Sequence, residues 1–238
     1  MDFVITTYCN LKCQNCCNLM PYYKEPFHYD IGHIKENLKK LSNIDKINNI
    51  QILGGEPFLH PDIIEIIDYI YKLNFDFITL YTNGTVIPDG IEKILNKIDD
   101  RFCFSITRYK KSTRVDDLIL LCKKYGVRCE ENEFGNICQN LEGEGEWILS
   151  GPPVENRYEK INGDTCGQIM SCMGDKIYKC QRFGHLENLR VCSPKDDEWC
   201  HINEIEDKYE KLKECRFTES CKYCLRGTCK ARNIERGS

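Results

Sequence analysis

Nowhere does the chain run through the roughly 18 to 20 uninterrupted apolar residues that a membrane-spanning helix needs, so the spanning class is excluded. It also has no excess of positive charge. The formal net charge is −4 and the isoelectric point about 5.8, whereas proteins whose main partner is nucleic acid usually meet it with a basic face. Neither nucleic acid nor a membrane is therefore expected among the partners. No basic, then apolar, secretory leader opens the chain; Asp2 to Thr7 is strand-like from the outset, and the expected location is the cytoplasm. Internal repeats and low-complexity tracts are missing too. With 41% hydrophobic and 29% charged residues among 238, what remains is an ordinary globular chain, long enough for one sizeable core and a small appendage.

What the chain has in abundance is cysteine, 17 in all. In a secreted chain such a count suggests a disulfide framework; without a leader, metal and sulfur chemistry in a reducing compartment is the expectation. Cys9, Cys13 and Cys16 stand at C-x3-C-x2-C spacing directly after the first strand pattern. Three thiolates so spaced can hold three corners of a cubane iron-sulfur cluster and leave the fourth iron open to a ligand that is not protein. Taken alone, the motif also fits a zinc site or three unrelated buried cysteines. It is followed by Gly54-Gly55-Glu56-Pro57, where two glycines let backbone approach a ligand closely and a carboxylate can accept hydrogen bonds from an ammonium.

To about residue 131, strand-like and helix-like patterns alternate, the signal for βα units around a parallel sheet. Strands are expected at Asp2–Thr7, Asn48–Leu53, Asp76–Thr82, Arg101–Thr107 and Val127–Glu131. Apolar residues at helical spacing lie between them, as in Ile63, Ile66, Ile67 and Ile70. Asp30 and Asp62 sit where N-caps belong, and Pro61 where a first turn would start. Each motif falls just beyond the C-terminal end of a strand, where parallel α/β architectures build their sites. Regularity fades through residues 142–153, the expected boundary between units at 1–150 and 151–238. In the second unit, Gly174-Asp175 signals a hairpin and Ile202 to Leu212 a helix.

By the spacing and order of these landmarks, residues 1 to about 131 resemble the radical S-adenosylmethionine (SAM) superfamily core, a partial (β/α)6 barrel. The resemblance implies that Cys9, Cys13 and Cys16 ligate a [4Fe-4S] cluster whose open iron is chelated by the amine and carboxylate of SAM. One electron then cleaves SAM to methionine and a 5'-deoxyadenosyl radical, which removes hydrogen from substrate. Gly54, Gly55, Glu56 and Pro57 match the motif that receives the amino end of SAM. Thr82 and Asn83 close the third strand, and Ser105 and Thr107 end the fourth, as further cofactor-binding positions. Arg128 either meets the SAM carboxylate or is a surface arginine; Arg108 and Tyr109 are expected at the barrel mouth. The family usually has an aromatic residue where this chain has Asn15, which leaves adenine stacking to Tyr8 or Tyr81. Cys17 is an unusual extra cysteine, open to an alternative ligand register or to service as a hydrogen-atom donor. Cys103, Cys122 and Cys129 read as core residues, Cys138 is unassigned, and His28, His60, His185 and His201 read as loop or surface histidines.

The cysteine-rich C-terminal segment resembles the Twitch or SPASM extension of the same superfamily. That implies one auxiliary [4Fe-4S] cluster held by Cys166, Cys180, Cys221 and Cys224, with Cys172 a rival to Cys166, and Cys215 and Cys229 rivals for the distal pair. A four-thiolate zinc site fits the same spacing. Since the first barrel strand starts at residue 2, with no peptide-recognition domain ahead of it, a small molecule is the expected substrate. The stretch Cys16-Cys-Asn-Leu-Met-Pro-Tyr-Tyr23, with Cys180-Gln-Arg-Phe-Gly184 after the hairpin, is similar to compact carbohydrate-biosynthesis members, which points to a sugar or aminocyclitol, oxidised or epimerised at a carbinol carbon. A peptide or protein-residue maturase is the alternative, and a zinc or iron-sulfur scaffold without radical chemistry a third reading. A flavodoxin or ferredoxin is the implied electron donor.

Overall fold

The computed structural model describes residues 1–13, 16, 18–109, 111–132 and 169–214. Four βα repeats and a fifth strand come first: β1 (Asp2–Thr6), α1 (Ile31–Ser42), β2 (Asn49–Gly54), α2 (Ile63–Tyr71), β3 (Phe77–Thr82), α3 (Ile91–Leu95), β4 (Phe102–Thr107), α4 (Val115–Tyr125) and β5 (Arg128–Asn132). The later elements are β6 (Ser171–Met173), β7 (Lys176–Tyr178), α5 (Gln181–Asn188), β8 (Trp199–His201) and α6 (Ile205–Glu214). They form one eight-stranded sheet in the order β5-β4-β3-β2-β1-β6-β7-β8. All neighbours from β5 to β6 run parallel, and β6, β7 and β8 pair antiparallel. The expected α/β class with a parallel sheet is what forms.

Alternation along the strands explains the layering. Ile50 and Ile52, Ile78 and Leu80, and Phe102, Phe104 and Ile106 all face one side, where Ile34, Leu38, Ile66, Ile67, Ile94 and Leu118 from the helices join them in one dry core. The opposite face is mixed. Val4, Leu53, Met173, Tyr178 and Phe183 make a smaller apolar cluster, while Gln51, Thr79, Tyr81, Cys103, Ser105, Glu130 and Asn132 line a cavity of about 340 Å³. A sheet face that carries hydroxyl, amide and carboxylate groups beside a cavity is built to meet a polar occupant rather than another layer of side chains.

The capping expectations divide. Asp30 caps α1, accepting from the His33 N–H at 3.1 Å. Asp62 makes no side-chain cap; its own N–H donates to His60 Nδ1 at 3.1 Å, and α2 begins only at Ile63, so Pro61 precedes the helix instead of opening it. The hairpin turns at Gly174, whose φ of +60° lies in the left-handed region glycine enters freely. The expected C-terminal helix begins as a 3-10 turn at Ile202–Glu204 and continues as α6. The expected boundary near residue 150 lies outside the described residues. On either side of it the chain contributes to the same sheet, with Asp2, Phe3 and Val4 of β1 in register with Ser171, Cys172 and Met173 of β6. No helix among the described residues is long and apolar enough to cross a membrane.

Phe104 is fully buried, with Phe102 and Phe58 ring centroids 5.1 and 5.9 Å away. Phe104→Ala is expected to lower the unfolding free energy by about 3–5 kcal/mol, read from urea denaturation followed by circular dichroism.

Candidate cofactor site at the strand ends

The site begins where β1 and β2 stop pairing. Beyond the strand ends, the Gly55 N–H donates to Thr6 O at 2.9 Å and the Glu56 N–H to Tyr8 O at 2.7 Å, so the Gly-Gly-Glu turn stays bonded to the start of the cysteine loop. Only glycine permits this approach: a Cβ on Gly54 would stand 2.2 Å from Thr6 O, and one on Gly55 1.9 Å from Tyr8 O.

Glu56 is fully buried. Its Oε1 accepts from the Phe58 N–H at 3.0 Å and the Thr82 hydroxyl at 2.8 Å, and its Oε2 from the Asn83 N–H at 2.6 Å. The carboxylate expected to face an ammonium is thus turned inward, tying the Gly-Gly-Glu turn to the end of β3. Burial pushes its pKa up to about 7, against the three hydrogen bonds that favour the ionised form.

Asn83 extends the tie to the cysteines. Its Nδ2 donates to Asn10 Oδ1 at 3.1 Å and reaches Cys9 Sγ at 3.8 Å; the Leu11 N–H donates to the same sulfur at 3.4 Å. N–H groups directed at a sulfur are the usual surroundings of an iron-ligating thiolate and one of the means by which a protein tunes such a cluster. Burial pushes the Cys9 thiol up to about 11 in the absence of metal. Cys13 and Cys16 are half-buried, joined by a turn in which the Cys16 N–H donates to Cys13 O at 3.2 Å. Among the described residues no three histidine, cysteine or carboxylate side chains converge on one point closely enough to share a single metal ion. Three soft donors on one loop, with backbone and amide N–H groups directed at Cys9, fit the cluster.

The other expected site residues scatter. Thr82 is spent on Glu56. Ser105 accepts from Asn132 Nδ2 and, with Tyr81, lines the polar cavity; Thr107 is half-buried at the end of β4. Arg128 is a correction. As the first residue of β5 it stands at the strand end opposite the cysteine loop, where it donates to Asp100 O, pairs with Glu130 at 3.3 Å, lies over the Phe77 ring and lines the polar cavity. Arg108 is engaged by Glu131 and by Asp116 at 2.7 Å. Tyr8, 39% exposed, stacks on His28 with centroids 4.3 Å apart.

The histidines are not all superficial: His60 and His185 are buried, and His60 Nε2 donates to Tyr29 O at 2.9 Å while its Nδ1 accepts from the Asp62 N–H at 3.1 Å. Cys122 lies in the core as expected, but Cys103 faces the cavity. Cys172 is closed into the helix-side core with its thiol on Gly174 O at 3.4 Å, away from Cys180, which packs with Cys192 against the smaller apolar cluster on the other face. Cys17, Asn15, Cys138, Cys166, Cys215, Cys221, Cys224 and Cys229 lie outside the described residues. Asn18, Tyr23 and Gln181 were given no role by sequence reasoning beyond lying in the stretches that resemble the compact members, and His185 was read as superficial; their contacts across the fold reveal them.

Residues 3–128 match the family model described as the Radical SAM superfamily. The chain belongs to that superfamily. Among curated proteins it is similar to the antilisterial bacteriocin subtilosin biosynthesis protein AlbA of Bacillus subtilis (strain 168), 27% identical over 143 residues, which are 58% of this chain and 29% of that protein. It is also similar to the GTP 3',8-cyclase of Clostridium acetobutylicum, 29% identical over 195 residues, covering 66% of this chain and 58% of the cyclase. The chain therefore spans less than two thirds of the length of either. Among solved structures, BtrN in complex with AdoMet and 2-DOIA shares the fold with a TM-score of 0.52 at 16% identity, covering 97% of this chain and 87% of that one.

Because its pKa is raised, Glu56 keeps its proton in the native state after the unfolded chain has lost it, so this carboxyl subtracts stability as pH climbs from about 4.5 to about 7. Glu56→Gln is expected to flatten that part of the curve of urea midpoint against pH, leaving the contribution of Asp2, which burial also pushes up to about 7. At pH 5 the same variant is expected to lose about 1–3 kcal/mol, because an amide N–H would then face the Asn83 N–H.

Proposed function

We propose that the chain is a radical SAM enzyme that removes hydrogen from a carbinol carbon of a small polar molecule, a carbohydrate or aminocyclitol, in an oxidation or an epimerisation. In this reading Cys9, Cys13 and Cys16 hold a [4Fe-4S] cluster, and the Gly54–Pro57 backbone receives the amino end of SAM. The cluster and SAM together supply, when bound, a 5'-deoxyadenosyl radical. The observation that carries the substrate class is the largely polar cavity of about 340 Å³ lined by Asn49, Gln51, Thr79, Tyr81, Cys103, Ser105, Arg128, Glu130 and Asn132, with Ile50 and Phe77 as its apolar wall. Side chains of this kind exchange hydrogen bonds with hydroxyl and amino groups, and a volume of this size suits a monosaccharide-sized molecule. Cys17 is the proposed thiol that returns a hydrogen atom in the epimerisation case, with Cys103 its rival because it faces the cavity. A peptide substrate is the second reading, favoured by the similarity to AlbA.

The C-terminal segment, 151–238, is proposed to carry an auxiliary [4Fe-4S] cluster on Cys166, Cys180, Cys221 and Cys224, which in the oxidation would take the second electron from the substrate radical as its hydroxyl proton leaves, while a flavodoxin or ferredoxin delivers the single electron that cleaves SAM. The core position of Cys172 argues against it as a ligand. After anaerobic reconstitution, Cys180→Ser is expected to lose about half of the bound iron, as two clusters per chain require, while Cys172→Ser keeps it all; equal iron in both variants would remove the auxiliary cluster from this account. The substrate class is tested by incubating reduced protein and SAM with deuterated sugars, aminocyclitols and peptides. Deuterium in 5'-deoxyadenosine from the sugars or aminocyclitols is the expected result, and transfer from peptides alone overturns it.

A further inference from the structure

The Gly54–Gly55 peptide group is gripped from both sides. Its N–H, that of Gly55, donates to Thr6 O at 2.9 Å, and its carbonyl oxygen, that of Gly54, accepts from Asn18 Nδ2 at 2.5 Å. Two glycines in succession have the widest backbone freedom of any dipeptide, so an external grip on both edges is what sets the plane of this group. Asn18 is itself held. Its Oδ1 accepts from Gln181 Nε2 at 2.6 Å, and Gln181 is the first residue of α5, directly after Cys180. The orientation of the Asn18 amide follows from the network, since a carbonyl can only accept and Gly54 therefore needs the NH2 group.

The relay is part of a wider contact. Tyr23 OH lies 2.8 Å from His185 Nδ1, and Leu19 packs on Leu186 in a small apolar cluster with Leu189, Val191 and Cys192 around it. Positions 181, 185 and 186 on one side of α5 thus meet positions 18, 19 and 23, immediately after the third cysteine of the loop. A helix more than 150 residues away in sequence braces both the cysteine loop and the glycine turn.

We infer that Gln181 and Asn18 are positioning residues for SAM: through them the C-terminal segment fixes the plane of the Gly54–Gly55 peptide and with it the affinity of the site for the methionine end of the cofactor. The inference rests on the reading that Gly54–Pro57 receives SAM. Nothing in it requires Cys180 to bind metal, although whatever Cys180 holds is one residue from the start of the relay.

The test uses the full chain, reconstituted anaerobically and reduced with dithionite, with SAM affinity taken from the SAM-dependent change in the electron paramagnetic resonance spectrum of the cluster. Gln181→Glu puts an acceptor opposite Asn18 Oδ1 and so opposes the amide orientation that Gly54 needs; Gln181→Met removes the bond while nearly keeping the shape. The expected result is a rise in the Kd for SAM of about tenfold for Gln181→Glu and about threefold for Gln181→Met, the range one hydrogen bond supplies, with iron content and thermal unfolding unchanged. A Kd within twofold of wild type in both variants overturns the proposal. So does a loss of iron in step with affinity in both, which would make α5 a brace for the cluster loop alone. A wild-type cluster that takes up iron but does not respond to SAM would overturn the reading of the glycine turn, and the proposal with it.

Discussion

The close passage of the Gly54-Gly55 backbone over the carbonyls of Thr6 and Tyr8 is the contact on which the rest of the site depends. It prolongs the β1–β2 ladder by two hydrogen bonds beyond the point where both strands have ended, and no side chain larger than hydrogen fits at either glycine. The cysteine loop, the glycine turn and the end of β3 become one unit because Glu56, which follows the glycines, is drawn down into the protein and bonded to Thr82 and Asn83. Burying a carboxylate is costly. Three donors offset much of that cost here, and rigidity is the return: ligands that must sit on separate irons cannot be held by a loop free to change shape.

The two faces of the sheet divide the labour. Helix-side residues repeat isoleucine, leucine and phenylalanine at strand alternation and pack without polar interruption. On the cavity side the strands carry Gln51, Thr79, Tyr81, Ser105 and Asn132, which add little to the core and leave hydrogen-bonding groups available to an occupant. The cysteines too are divided between the two faces. Cys103 and Cys122 are separated by the thickness of a sheet rather than by chemistry, and Cys172 and Cys180 end on opposite sides although only seven residues intervene.

Most of the fold was legible because it is written in local periods: the strands near residues 2, 49, 77, 102 and 128 alternate, the helices between them repeat at helical spacing, and Gly174 marks its hairpin. The cysteine spacing and the Gly-Gly-Glu run were legible for the same reason, being contiguous. Arg128 was misplaced because it was matched to a cofactor role although the strand pattern itself starts there, and the start of a parallel strand lies at the end of the sheet opposite the site. The inward turn of Glu56 was hidden because its partners come from β3, some 26 residues on. The Asn18–Gln181 bond joins residues 163 apart, and an asparagine and a glutamine carry no local signal that one will find the other.

The pairing of β6 with β1 also sets the order of events in the life of the chain. Until residues 171–173 are made, β1 is an open edge strand with unpaired N–H and C=O groups along one side. At ordinary rates of synthesis the interval between the emergence of β1 and that of β6 is roughly ten to thirty seconds. The cysteine loop attached to β1 is born long before the helix that braces it, so in the nascent chain the loop stands unbraced. Its thiols are thus exposed to iron before the C-terminal segment has docked.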